Sequence, residues 1–191
     1  MTLRPYHHGD LRAALVEAGL AAIEARGADD LSLRELARVV GVSATAVYRH
    51  FPDKKALVAA LASVGLKKLG ETQRIASNAA GGGSAGFNAT GVAYVRFALC
   101  NPGLFRLVYS HPLPKFLPGA DPSEDAMAML QAYAAALAPN GVDPEIFALQ
   151  SWSLVHGLAM LLLDQQITLD EAAIDRVVDL HVMLAESGAR P

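Results

Sequence analysis

Between Ser43 and Lys54 the chain carries Ala44, Thr45, Tyr48, Arg49, His50 and Lys54, a run of small, hydroxyl and cationic groups suited to a polyanion whose edges can be read. Ala44 and Thr45 are small enough to let a helix backbone approach base edges, and a helix fits the major groove of DNA. Tyr48, His50 and Lys54 can donate to phosphate oxygens, as can the free amides at a helix start. Presenting these groups together requires one helix whose opposite side is anchored. Val47 and Phe51, four residues apart, supply that anchor, and Ser43 is a candidate N-cap.

The preceding residues write a second short helix. Leu33, Leu36, Ala37 and Val40 form one apolar stripe, while Arg34, Glu35 and Arg38 face away. Ser32 with Glu35 reads as a capping box, and Gly41 takes the positive φ that ends a helix. The pair is a helix-turn-helix, and the outward Arg34 and the helix start at Ser32 extend the candidate DNA face. A first helix from about Gly9 to Arg26, with Leu11, Leu15, Ala18 and Ala22 at helical spacing, covers the other two. Asp53 caps a fourth helix running to about Ala76, with Leu57, Ala60, Leu61 and Val64 buried.

Other chemistries have weaker material. Cys100 lies in the apolar run FALCN without a basic neighbour to lower its pKa, and no nucleophile motif surrounds any serine. A hydrolase built on His156 therefore lacks its partners. His7, His8 and His50 lack Cys or carboxylate partners at ligand spacing, so neither a metal nor another cofactor is expected. His7 and His8 fit better in an N-terminal arm with Arg4, touching the DNA backbone or minor groove.

Composition agrees. The 191 residues are 52% hydrophobic and 18% charged, which places the chain with globular proteins. The net charge of -3 hides an asymmetry: residues 1–75 hold 11 Lys+Arg against 8 Asp+Glu, the remainder 5 against 11. Positive charge therefore sits with the helix-turn-helix, where phosphate attraction is needed. One cysteine excludes an internal disulfide and suits a reducing compartment. The apolar run Trp152 to Leu163, broken by Ser153, His156 and Gly157, is shorter than a membrane span. No signal peptide is visible, so a cytoplasmic protein is expected.

The rest of the chain also reads as helical. Gly81 to Ser84 break the fourth helix from a fifth, about Gly86 to Leu99; Asn101 and Pro102 open a short one to about Tyr109. Ser123 starts a helix to about Ala138, and Asp143 with Pro144 opens a long one to Leu163. Thr168 with Glu171 reads as a capping box for a last helix bearing Ile174, Val177, Val178, His181, Val182 and Leu184, closed by Gly188. The expected architecture is all-α. Residues 1–55 form a three-helix DNA-binding head with an arm over 1–8, and residues 56–191 form a body of about six helices.

From Leu11 to about Leu61, and above all in LSLRELARVVGVSATAVYRHFPDKKAL, the sequence resembles the TetR/AcrR family of transcriptional regulators. The opening YHHGDLR, and Trp152, His156 and Gly157 in SWSLVHGLAML, resemble the branch whose C-terminal half is known by its Trp, His and Gly residues. The resemblance implies a repressor that binds a palindromic operator as a dimer and is released by a small molecule. At Ala44 many relatives carry a basic residue that contacts phosphate, so one such contact is missing here.

Two further expectations concern the body. The helix Pro144 to Leu163 is apolar nearly all round, more than one layer of helices covers; a second copy packing on it and on the last helix covers the rest. Tyr94, Phe97, Phe105, Met127, Tyr133, Trp152 and His156 are the candidate ligand contacts, since small-molecule sites are mostly apolar with a few placed polar groups. The same residues also suit a packed core. The alternative function is a constitutive DNA-binding dimer whose body holds a protein partner.

Overall fold

The computed structural model describes residues 10–110 and 125–179. These fold into helices α1 (Leu11–Arg26), α2 (Leu33–Val40), α3 (Ala44–His50), α4 (Lys54–Ala79), α5 (Gly83–Cys100), α6 (Pro102–Tyr109), α7 (Ala126–Leu137), α8 (Pro144–Leu163) and α9 (Glu171–Val178), with no strand among the described residues. The expected all-α class holds.

Local caps explain where the helices begin. Asp10 accepts from the Ala13 amide at 2.9 Å, so α1 opens at Leu11 rather than Gly9. Ser43 accepts from Ala46 N at 3.2 Å, and Asp53 from Ala56 N at 2.7 Å, both as the sequence predicts. The capping box at Ser32 does not form. Its hydroxyl makes no cap bond, and the Glu35 carboxylate is drawn instead to Arg26, whose Nη1 donates to Oε1 at 2.7 Å. That pairing holds the Glu35 carboxyl below its ordinary pKa through the Arg26 hydrogen bond.

Two caps move by two residues. Asp170, not Thr168, opens α9, accepting from Ala173 N at 2.6 Å. Asp125 opens α7, accepting from the Met127 and Ala128 amides at 2.8 and 3.3 Å. The predicted cap Ser123 lies outside the described residues, as do Arg4, His7, His8, His181, Val182, Leu184 and Gly188. Gly41 ends α2 at φ 79°, its N–H returning to Ala37 and Arg38 carbonyls, the left-handed stop expected of it. Helix α4 runs three residues past Ala76, and α5 starts at Gly83, after a turn through Gly81 and Gly82.

The chain divides into two compact units. One extends to Gly65 and takes in α6; the other comprises Leu66–Cys100 and α7 to α9. Helix α4 is shared between them, and α6, which the sequence placed in the body, groups with the head.

The first unit packs α1 on α2, α2 on α3, and α1 on α6. Leu15, Ile23, Val47, Leu57, Leu61 and Phe105 have no exposed surface. Each contributes roughly 1.5–3 kcal/mol of burial. In the second unit α5 lies against α7, α8 and α9, and Phe87, Ala134, Phe147 and Ala148 form one buried cluster.

Cys100, read as part of an apolar run, ends α5 with its side chain exposed. Taken as a whole, α8 is long and apolar enough to cross a membrane, with mean hydropathy 1.7 over its most apolar stretch. That is longer than the run from Trp152 alone. Its Phe147, Ala148, Ser151, Val155, Leu158 and Ala159 are buried, and the helix packs on α5 and α7.

Candidate functional site

Helix α3 is held by two inward residues. Val47 is fully buried and Phe51, just past the helix end, nearly so. With that side fixed, Ala44, Thr45, Tyr48, Arg49 and His50 are all exposed, Tyr48 by 43% despite its ring. An aromatic hydroxyl left in solvent beside a basic side chain suits a phosphate more than a core. Ser32 and Arg34 at the start of α2 are exposed as well.

Two predicted contact residues turn out to have structural work. The Ser43 hydroxyl is engaged with the Ala46 amide and so stiffens the first turn of α3. Lys54 Nζ donates to the Asp29 carbonyl at 2.7 Å, tying the start of α4 to the α1–α2 connection. An ammonium group has three N–H donors, so that bond leaves capacity for phosphate. Sequence reasoning missed Arg12, whose guanidinium sits 5.4 Å over the Phe51 ring and adds a cation next to the residue that closes α3.

In the second unit, three of the seven candidate ligand residues meet. The Trp152 indole N–H donates to the Tyr94 hydroxyl oxygen at 3.2 Å, and Tyr94 lies 2.8 Å from His156 Nδ1. An indole can only donate, so the Tyr94 oxygen accepts from Trp152, while the direction of the Tyr94–His156 bond follows the tautomer of the imidazole. Burial pushes the His156 pKa below its ordinary value, which favours the neutral imidazole. Tyr94 is buried, and Trp152 and His156 are half-buried.

The other four candidates separate. Tyr133 stacks on Phe87 with ring centroids 5.1 Å apart, and its hydroxyl bonds to that of Ser77. Phe97 is buried in α5 and Met127 half-buried in the first turn of α7. Phe105 does not join them. It belongs to the first unit, fully buried, with its ring 4.9 Å from Tyr109. Near the Ser77 bond, Gln73 Nε2 donates to the Thr90 carbonyl at 3.2 Å, while its buried Oε1 has no hydrogen-bond partner among the described residues. A groove of about 590 Å³ opens between α4, α5 and α9, with Ile75, Ala89, Val92, Arg96 and Asp175 in its lining. None of the seven candidates lines it. Among the described residues no group of three or more His, Cys, Asp or Glu could hold a metal ion.

The arrangement of α1 to α3 and the start of α4 coincides with a match to the model for bacterial regulatory proteins of the tetR family over residues 15–61. Residues 87–184, just over half the chain, match the tetracyclin repressor-like C-terminal domain. This chain belongs to the TetR family. Its α1 to α3 thus constitute the TetR-family helix-turn-helix DNA-binding domain.

Solved structures are similar to this chain over most of its length. A protein of unknown function from Rhodococcus sp. RHA1 is 32% identical, with TM-score 0.77 over 99% of this chain and 100% of that one. A TetR-family transcriptional regulator from Streptomyces coelicolor is 21% identical, with TM-score 0.66 over 93% of this chain and 81% of that one. A TetR variant from Acinetobacter baumannii AYE, crystallised in complex with minocycline, is also 21% identical, with TM-score 0.59 over 94% of this chain and 98% of that one.

Proposed function

We propose that this TetR-family chain is a ligand-responsive repressor: a homodimer that inserts α3 of each copy into an inverted-repeat operator and lets go when a small molecule binds the body. The observation that carries the reading is the outward face of α3, where Ala44, Thr45, Tyr48, Arg49 and His50 are exposed over a fully buried Val47. Lys54, Arg34, Ser32 and the start of α3 at Ser43 contribute phosphate contacts or helix-start amides, and Arg4 reaches the neighbouring groove.

Dimerisation is supported by α8. Ile146 and Leu149 are 51% and 55% exposed and Leu161 45%, on a helix whose other side is core. On α9, Val177 is 40% exposed. Leaving these side chains in water costs what a second copy recovers, and helices packed about a twofold axis place two α3 segments about 34–36 Å apart, one turn of DNA.

The release arm of the proposal rests on Tyr94, Trp152 and His156, a polar trio among apolar neighbours, with Phe97, Met127 and Tyr133 on the same unit. Such a mix orients a mostly apolar guest. A guest releases DNA only if it prefers the released state, and operator must then weaken guest binding by the same factor.

Selection of bound fragments from random DNA tests the reading. Enrichment of an inverted repeat with half-sites one turn apart is expected, and Thr45→Ala should change the preferred bases. Recovery of fragments without symmetry, bound no better than scrambled competitor, overturns it.

A further inference from the structure

Helix α6 begins without a cap of its own. Asn101 holds the N-cap position but makes no side-chain bond to the first-turn amides, and Pro102 has no N–H to offer. The amides of Gly103 and Leu104 nevertheless have partners, both supplied from α1. Gly103 N donates to Glu24 Oε2 at 3.1 Å, and Leu104 N to Glu24 Oε1 at 2.9 Å. One carboxylate thus takes two adjacent amides, one on each oxygen, at the positive end of a helix dipole.

Gly103 makes this approach possible. A Cβ there would lie 2.5 Å from the Ile23 carbonyl oxygen and 3.0 Å from its carbon, backbone atoms that cannot swing aside. The first turn of α6 therefore rests directly on the α1 backbone. That same Ile23 carbonyl accepts the Gly27 N–H that closes α1 ahead of the turn into α2. Along the chain, α6 follows α5 with only Asn101 between them.

We propose that Glu24 is a positioning residue for DNA binding. Its carboxylate clamps α6 to the end of α1, so that α1, α2 and α3 move with α6 as one piece and α3 is presented to the groove already ordered. The proposal rests on the operator-binding reading above. Without the clamp, the head must be ordered at the moment of binding, and that entropy is subtracted from affinity. Glu24 touches no nucleotide in this scheme, so its loss changes affinity but not the number of phosphates neutralised.

The test uses the full chain and an inverted-repeat oligonucleotide recovered by selection with the wild type. Glu24→Ala, Glu24→Gln and Gly103→Ala are compared at a temperature well below every variant's Tm. Glu24→Ala should weaken binding about tenfold, the scale of a lost charge-assisted hydrogen bond, with an unchanged salt slope; Glu24→Gln, which keeps one acceptor, should fall between. Reciprocity requires that oligonucleotide slow hydrogen exchange at the Leu104 amide in the wild type and not in Glu24→Ala. Should Glu24→Ala fail to fold, Glu24→Gln and the wild-type exchange measurement carry the decision. A lowered Tm with wild-type Kd, or Leu104 exchange indifferent to DNA, overturns the proposal and leaves a cap that serves stability alone. If the wild type selects no inverted repeat, the operator-binding reading falls first and takes this one with it.

Discussion

Replacing Lys54 with alanine separates two tasks that fall on one ammonium group. In the free protein Nζ donates to the Asp29 carbonyl at 2.7 Å, a brace between α4 and the loop before α2. In the operator complex the same group should also neutralise a phosphate. Each phosphate neutralised contributes about 0.9 to the slope of log K against log salt, so a dimer losing one contact per protomer should flatten by about 1.8. Between roughly 50 and 200 mM salt, the ratio of wild-type to variant affinity should then shrink about twelvefold. Loss of the brace should cost only about 0.5–1 kcal/mol, because the exposed Asp29 carbonyl regains water. Fluorescence anisotropy against a labelled inverted repeat over that salt range, alongside urea unfolding, measures both. A slope equal to wild type with the small stability loss present would mean that Lys54 serves Asp29 and not DNA.

Three other perturbations follow from the geometry. Ser43→Ala removes the bond to the Ala46 amide and should destabilise the protein by about 1 kcal/mol in urea titration; an unmoved midpoint would contradict that cap. Tyr94→Phe removes the hydroxyl that accepts from the Trp152 N–H and bonds His156 Nδ1, a loss of about 1–3 kcal/mol. Trp152 is the one tryptophan, so its emission should shift as well, and unchanged emission with unchanged stability would refute the trio. Burial lowers the His156 pKa, so between the folded value and the ordinary value near 6.5 the unfolded chain binds a proton that the folded one refuses. The histidine's contribution is therefore intact above that ordinary value and is lost as pH falls below it. His156→Gln should show a shallower loss of urea midpoint from pH 8 to pH 5 than wild type; identical acid-side slopes would count against it.

What the sequence disclosed was local. Val47 and Phe51 at four-residue spacing, Gly41 at a helix end and Asp143 before Pro144 act through neighbours within one turn, so their effects could be read without a fold. The capping box at Ser32 failed because Arg26, nine residues from Glu35, competes for the carboxylate. Thr168 lost to Asp170, whose side chain two residues later accepts from the Ala173 amide and fixes the start of α9 at Glu171.

Longer range was harder. Apolar spacing says that Phe105 is buried but not in which core, and it went to the head. Glu24 gave no signal at all, since its partners stand 79 and 80 residues downstream. Within the body, the chemistry of Tyr94, Trp152 and His156 marks them as candidates, and they do meet. Tyr133 is a candidate on the same grounds and bonds elsewhere, to Ser77.

The interleaving of α6 with α1 to α4 bears on how this protein could be engineered. Grafting its reader onto a foreign sensor by splicing at residue 55, or even after Gly65, would transplant α1 without the segment seated on Ile23 and would leave the Glu24 carboxylate facing solvent. A chimera that keeps its specificity must carry Asn101 to Tyr109 along with the first sixty-five residues, although the two stretches are written far apart in the gene.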